Sequence, residues 1–595
     1  MGELPAGLVQ SLDGTNLTEG QATEMLAKIS SFELGDGSTV SPPAVGVTVV
    51  VGPNNAGKST LLREIHTHLN SEYHSQPFWR LVKSLSLEVA GTPADVVAWL
   101  AAHNRYSADA EGGFRSLGGA NVSTSWLRQV MSTSWAQAGP TGRLGSTLAP
   151  FLVQYANTDS RLEQSKAAPA RNDAREPATH PVHVLADDRV RLHQASGIAS
   201  QVFGEALWLD DYSAQHRLRV GELLADAPRR DEIDAAYRDE LLSLPELAQQ
   251  GDGMRSFFGL LLPLLAASFP IVLVDEPEAF LHPPQAAALG RQLGRLSVEN
   301  ELQVVIATHD RHLLTGLLES KTPLTIVRVD RFSQGTGARQ IDPIELTQIW
   351  DEPALRYSNA LDGLFHRLVV LVEGDRDARF YAASLDVANE IGEVNLPVSE
   401  VLFVPCGGKG GMAKIAKALR GLGVPVVAVP DIDLLSVEAE TRKLVEALGG
   451  DWTDFESDFA AATARISKDA SALQVCELAA VLGDDPTAPL TKELRRSVER
   501  VLKTAGSGWN QVKAGGVSAL GAGGVGAAAA RLLDALDVLG LVVVRVGELE
   551  SFAPDLDVSK GSNWVPAALA AEAHRSPEAL AHVRRLGGAL AGQQE

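Results

Sequence analysis

Cysteine is almost missing from this sequence: in 595 residues only Cys406 and Cys476 occur, in unrelated surroundings. Two isolated thiols build neither a disulfide framework nor a zinc site, and their scarcity suits a reducing cytosol. Basic charge is also in short supply. The 52 Lys and Arg face 74 Asp and Glu, leaving a net charge of −22. That excludes a broadly basic surface, so contact with nucleic acid has to use a local groove, and long-range steering toward it is weak. The opening MGELPAGLVQSLDG has neither a basic segment nor an apolar run, and position 6 is Ala6. No secretory leader and no myristoyl anchor are therefore expected. One long uncharged run exists, FFGLLLPLLAASFPIVLV from Phe257 to Val274, but Pro263 and Pro270 interrupt it and it runs straight into DEPE. A buried helix, a turn at Ser268-Phe269-Pro270 and a buried strand explain it without a membrane span.

What is present is an ordinary soluble composition, 45% hydrophobic and 21% charged, on a chain long enough for two cores or more. Apolar strand patterns fall near 45–51, 271–274 and 303–307, and again at 368–372, 401–404, 425–429 and 541–546. Helical patterns separate them, so the fold class is α/β with parallel sheets. The expected organisation is a first domain over 1–350 with a long helical insertion, a second over 366–575, and a helical tail over 576–595. Within the insertion, SKAAPARNDAREPATHP (Ser165 to Pro181) is expected to be an exposed loop. The glycine- and alanine-rich run from Gly515 to Leu533 ends in an amphipathic pattern and is expected to fold.

The stretch VGPNNAGKST fits G-x-x-x-x-G-K-[ST] from Gly52 to Ser59, with an apolar strand before it and a helix after it. Such a loop cradles phosphates with backbone N–H groups, which implies ATP. Gly52, Asn54, Asn55, Ala56, Gly57 and Thr60 are the candidate loop contacts. Lys58 would neutralise the phosphates and Ser59 would hold Mg²⁺. Asp275 ends the strand IVLVD as a second metal-holding carboxylate, and Glu276 beside it would polarise water. His309 ends the strand QVVIATH, placed to sense the γ-phosphate. GDGMRS opens a helix whose Gly253 and Ser256 would meet a nucleotide.

These motifs resemble the ATP-binding-cassette ATPases, in the branch that holds SMC-like and OLD (overcoming lysogenisation defect) proteins. The resemblance implies two cassettes sandwiching ATP, hence a homodimer or dimer of dimers through the ATPase domains. The usual LSGGQ signature is absent, as is the heptad coiled coil of SMC proteins, and this favours the OLD branch.

The later strands carry a second carboxylate set. HRLVVLVEGDRDARFY presents Glu373 and Asp377, and GVPVVAVPDIDLL presents Asp431 and Asp433. Carboxyl ends of neighbouring parallel strands meet at one edge, where such acids repel unless a hard cation joins them. Oxygen ligands select Mg²⁺ or Mn²⁺, suited to attack on a phosphodiester. This E-G-x-x-D then D-x-D pattern resembles the Toprim domain of topoisomerases, primases and OLD nucleases. The resemblance adds PCGGKGG (Pro405 to Gly411) as a glycine turn and Glu548 and Glu550 as further ligands. It also calls for a catalytic lysine: Lys560 is preferred, with Lys513 as rival.

Cassette followed by Toprim is the order of OLD proteins and of the nuclease subunit of Gabija-type phage defence. The expectation is a cytoplasmic, ATP-dependent, metal-dependent endonuclease acting on DNA in phage defence or repair, with a helicase-like partner and no membrane. Two alternatives stand beside it: a DNA-sensing ATPase with a silent Toprim module, and a Toprim RNase cutting tRNA. The basic segment from Glu493 to Lys513 could follow a phosphate backbone or could be a solvated helix face.

Overall fold

The computed structural model describes residues 26–594, except 73–79, 104–105, 108–112, 118–120, 124–130, 172–175, 225–233, 267–268, 333–334, 342–358, 465, 467–474, 483–488, 490, 492–493, 496, 499–507 and 559. The chain divides into two compact units, Met1–Pro343 and Ile344–Glu595, the break falling slightly ahead of 350, the expected end of the first domain. Most of the basic segment 493–513 lies outside the described residues.

The first unit is built on a six-stranded sheet in the order Gly335–Ile341, Leu324–Phe332, Gly46–Val51, Gln303–Ala307, Ile271–Asp275, Val153–Ala156. All neighbours are parallel except the hairpin pair at the Gly335–Ile341 edge. The inner strands GVTVVV, IVLVD and QVVIA are apolar on both faces and almost wholly buried, as helix-covered parallel strands must be. Register then decides the site: Asp275 pairs with Ala307, and Ala307 pairs with Val50. The phosphate loop, Asp275 and Thr308-His309 thus emerge at one carboxyl edge.

The uncharged run resolves into the helix Asp252–Leu265 followed by the strand Ile271–Asp275. The insertion is more than helical. Its strand Val82–Ala90 joins Leu26–Leu34 and Thr39–Val40, which precede the phosphate loop, in an antiparallel sheet, and Leu207–Asp210 pairs with Arg217–Val220. Val153–Ala156, from within the insertion, forms an edge of the main sheet; four residues are too short a run for alternation to announce a strand. The expected exposed loop over 165–181 is partly pinned, with Ala168 and Ala178 buried.

The second unit holds Val401–Pro405, Leu368–Val372 and Val426–Val429 as parallel strands in that order. The segment after Gly540 continues the sheet: Leu541 bridges Ala428 and Val544 bridges Asp431, both in parallel. The helix Pro577–Gln594 had been set apart as a tail. It instead lays Ala579, Val583, Leu586 and Leu590 into the core, an i, i+4, i+7, i+11 stripe. Among the described residues no single helix is long and apolar enough to cross a membrane; one pair, Gly508–Leu520 and Gly524–Leu539, passes on composition but is bent by 99°.

Candidate nucleotide and metal sites

The phosphate loop needs its glycines. Gly52 has φ 146°, and a Cβ there would lie 2.1 Å from the Val329 carbonyl oxygen. Gly57, at φ 100°, caps the helix Lys58–Asn70 without a side-chain hydrogen bond. The first-turn amides of that helix have no side-chain acceptor at the cap and are available to an anion. Asn54 and Asn55 are exposed, whereas Ala56 is buried. Lys58 folds across the loop, donating to the Gly52 carbonyl at 2.8 Å and the Pro53 carbonyl at 2.9 Å. Burial holds its pKa below the usual lysine value, opposed by Glu276, Glu278 and Asp275. Ser59 and Thr60 follow in the first turn, half-buried.

Across the edge, Asp275 Oδ2 accepts a long hydrogen bond from Tyr155 Oη at 3.4 Å, while Oδ1 is buried with no partner. A buried carboxylate oxygen left open beside a phosphate loop fits a divalent cation. Glu276 has φ 47°, which turns its carboxylate outward, half-exposed and 3.7 Å from His309 Nδ1. Glu278, which sequence reasoning passed over, is buried. Its Oε1 accepts from Thr308 Oγ1 at 2.7 Å and from the His309 amide at 3.0 Å, with His309 Nδ1 at 3.3 Å. Burial raises its pKa. The second Glu of DEPE was the available signal.

Arg161 is the larger omission. It is fully buried and donates from Nη1 to the Asp275 carbonyl at 2.7 Å and from Nη2 to the Glu276 carbonyl at 2.9 Å. Its Nε donates to Ser256 Oγ at 3.1 Å. Ser256, expected to meet a nucleotide, is fully buried and accepts from Arg161. Gly253 is half-buried, where a Cβ would lie 2.8 Å from the Phe280 carbonyl oxygen.

In the second unit, carboxylate oxygens of Glu373, Asp431 and Asp433 all lie within 4.8 Å of one another. The strand ends enforce this: Leu368–Val372 and Val426–Val429 are adjacent, and the Asp431 amide donates to Glu373 Oε1 at 3.1 Å. Burial, then Glu373, pushes the Asp431 pKa up to about 7. Three acids forced together in this way are the donor set of a hard cation.

Lys513 Nζ lies 3.0 Å from Asp431 Oδ2, 3.2 Å from Asp433 Oδ2 and 3.9 Å from Glu548 Oε2. Burial lowers its pKa, but Asp431 and Asp433 outweigh that and raise it. Lys560, the lysine preferred from sequence, pairs instead with Glu548 and, at 3.6 Å, with Glu550. Arg376 holds Glu550 at 2.9 Å, so Glu548 and Glu550 form a second acidic pair beside the triad. Lys409, in the glycine turn, reaches Asp433 Oδ1 at 3.4 Å.

Asp377 stands outside the triad, capping its own helix by accepting from the Gly374 amide at 2.8 Å, and burial lifts its pKa to about 6.

Residues 206–315 match a family model described as an AAA domain, a description that also names the AbiEii toxin of type IV toxin–antitoxin systems. Residues 364–433 match one described as an overcoming lysogenization defect protein-like TOPRIM domain. Over 172 residues the chain is 28% identical to a protein named Old nuclease from Escherichia phage P2; that match spans 28% of either chain, well under two thirds of this relative. Over 445 residues, 68% of this chain and 82% of the relative, it is 24% identical to the OLD nuclease of Thermus scotoductus. Among solved structures, an Smc head bound to the C-winged helix domain of ScpA aligns over 54% of this chain and 100% of its own, at 11% identity and a TM-score of 0.34.

Proposed function

From a chain in which an AAA-type ATPase domain precedes an OLD-like Toprim domain, we propose an ATP-hydrolysing, divalent-metal-dependent endonuclease that cuts DNA phosphodiester bonds. The observation that carries this reading is the convergence of Glu373, Asp431 and Asp433 within 4.8 Å. These three carboxylates would hold Mg²⁺ or Mn²⁺, which would supply an activated water and neutralise charge on the phosphate. Lys513, already beside the ligands, faces the same space with a fixed positive charge suited to a developing oxyanion. Lys560 and Arg376 add charge at the rim, where a phosphate backbone would pass. Both are paired with Glu548 or Glu550, so they reach a phosphate only by exchanging those partners.

In the first unit, Lys58 and the loop amides bind phosphates, Asp275 Oδ1 and Ser59 hold the nucleotide's metal, and Glu276 with His309 orients water. Dimerisation through this unit, a helicase-like partner and a role against phage belong to the proposal as well. Purified protein is incubated with supercoiled plasmid, linear duplex and tRNA, each with Mg²⁺ or Mn²⁺, with and without ATP. Metal-dependent cutting of duplex that Glu373→Ala lowers by orders of magnitude supports the reading. Cutting confined to tRNA would replace DNA by RNA, and cutting untouched by Glu373→Ala would place the chemistry elsewhere.

A further inference from the structure

Burying a guanidinium costs several kcal/mol unless it is well partnered. Arg161 is fully buried, yet its hydrogen bonds run to two backbone carbonyls and to the hydroxyls of Ser256 and Thr158, with no carboxylate among them. Its compensation comes through space, from Glu278, then Asp275, then Glu276. A neutral donor could have satisfied one carbonyl at less cost. What only a planar fork can do is hold several acceptors in one fixed arrangement.

The acceptors belong to different elements. Asp275 ends the strand Ile271–Asp275 and Glu276 follows it, while Ser256 sits on the helix Asp252–Leu265. Arg161 itself lies on the helix Thr158–Gln164. That helix is pressed against the helix Asp252–Leu265 at Gly259, where a Cβ would lie 1.8 Å from the Arg161 carbonyl oxygen. Glu276 is pinned on both sides of its left-handed backbone, its amide donating to the Ala307 carbonyl at 2.9 Å and its carbonyl accepting from Arg161. A non-glycine residue keeps such a conformation only where its surroundings over-determine it.

We propose that Arg161 is the positioning residue for ATP hydrolysis. By fixing the carbonyls of Asp275 and Glu276 it sets the direction in which both carboxylates leave the strand end. Through Ser256 it ties that direction to the helix whose first turn follows Gly251. The inference rests on the reading of Asp275 as metal-holding and Glu276 as water-polarising.

Steady-state ATP hydrolysis and binding of a fluorescent non-hydrolysable ATP analogue, both with Mg²⁺, are compared for the full-length wild type, Arg161→Lys, Ser256→Ala and Glu276→Gln. Lysine keeps the charge but cannot span four acceptors, so kcat should fall roughly a hundredfold, the scale of a small misplacement of reacting groups. Analogue affinity should stay within about threefold of wild type, because ground-state contacts to the phosphates are untouched. Ser256→Ala removes one tether and should lower kcat by about threefold to tenfold, again without loss of binding. Wild-type kcat in a folded Arg161→Lys overturns the proposal, as does equal loss of kcat and analogue binding in both variants, which marks a merely structural residue. Should Arg161→Lys fail to fold, Ser256→Ala decides alone. If wild type hydrolyses no more ATP than Glu276→Gln, the ATPase reading falls and this inference with it. If Glu276→Gln is inactive while Arg161→Lys and Ser256→Ala behave as wild type, only this inference falls.

Discussion

Replacing Asp431 by asparagine should stabilise the metal-free second unit at about pH 8 while abolishing cleavage. The Asp431 carboxyl is raised from its ordinary 3.8 to about 7 by burial and by Glu373, with Lys513 pulling the other way. A carboxyl raised in this way holds its proton more tightly folded than unfolded. Its favourable contribution is therefore complete below about pH 4 and is lost as pH rises through about 7. The displacement corresponds to about 4 kcal/mol of native-state cost above that window. Asparagine removes the charge and its repulsion with Glu373, but it also gives up the Lys513 ion pair at 3.0 Å. The pull of Lys513 is already contained in that displacement and is not subtracted a second time. Asparagine reproduces the neutral acid's hydrogen bonds only in part, so a net gain of roughly 1–3 kcal/mol remains at about pH 8, shrinking toward zero near pH 4.

The assay is hydrogen exchange of the strands Leu368–Val372 and Val426–Val429 in chelator, across that pH range, because two units need not unfold as one. Adding Mg²⁺ should protect these strands in wild type and much less in Asp431→Asn. An asparagine variant less protected than wild type at the alkaline end, or a difference that does not change with pH, would refute the electrostatic account.

Lys58→Ala and Glu276→Gln should separate binding from turnover: the first weakens nucleotide affinity, whereas the second keeps it and stops hydrolysis. If the nucleotide state gates the nuclease, the two shift plasmid cleavage in opposite directions, and identical wild-type cleavage in both would rule gating out. Lys513→Ala should depress cleavage more than Lys560→Ala, since Lys513 sits on Asp431 and Asp433 and Lys560 on the neighbouring pair; single-turnover rates at saturating metal decide between them. Gly259→Ala forces a methyl against the Arg161 carbonyl and should cost at least about 1–3 kcal/mol of stability in the first unit, read as a lowered melting temperature.

The sequence determined what was local or periodic. The glycine spacing of the phosphate loop, the apolar strands ending in Asp275, Glu373 and Asp431, and the two-domain split are all written in contiguous residues. So is the acidic character of the second site, because a D-x-D at a strand end needs no distant partner to be recognised. Tertiary structure alone decided the rest. Arg161 lies 114 residues from Asp275 in sequence, and nothing in TDSRLEQ distinguishes it from a solvated arginine until helix packing at Gly259 buries it. Ser256 turned from an expected phosphate contact into its partner for the same reason. Sequence put Lys560 ahead of Lys513 on weak grounds, since both lie at loosely constrained distances from the acidic strands. Only the folded chain sets Lys513 on Asp431 and Asp433 and sends Lys560 to Glu548. Asp377 went to its helix cap and the helix Pro577–Gln594 into the core because a neighbouring amide and an uncovered sheet face were nearer than the places expected from the pattern. Chemistry that depends on which groups meet across the fold is fixed by packing, and packing is not a property of any one segment.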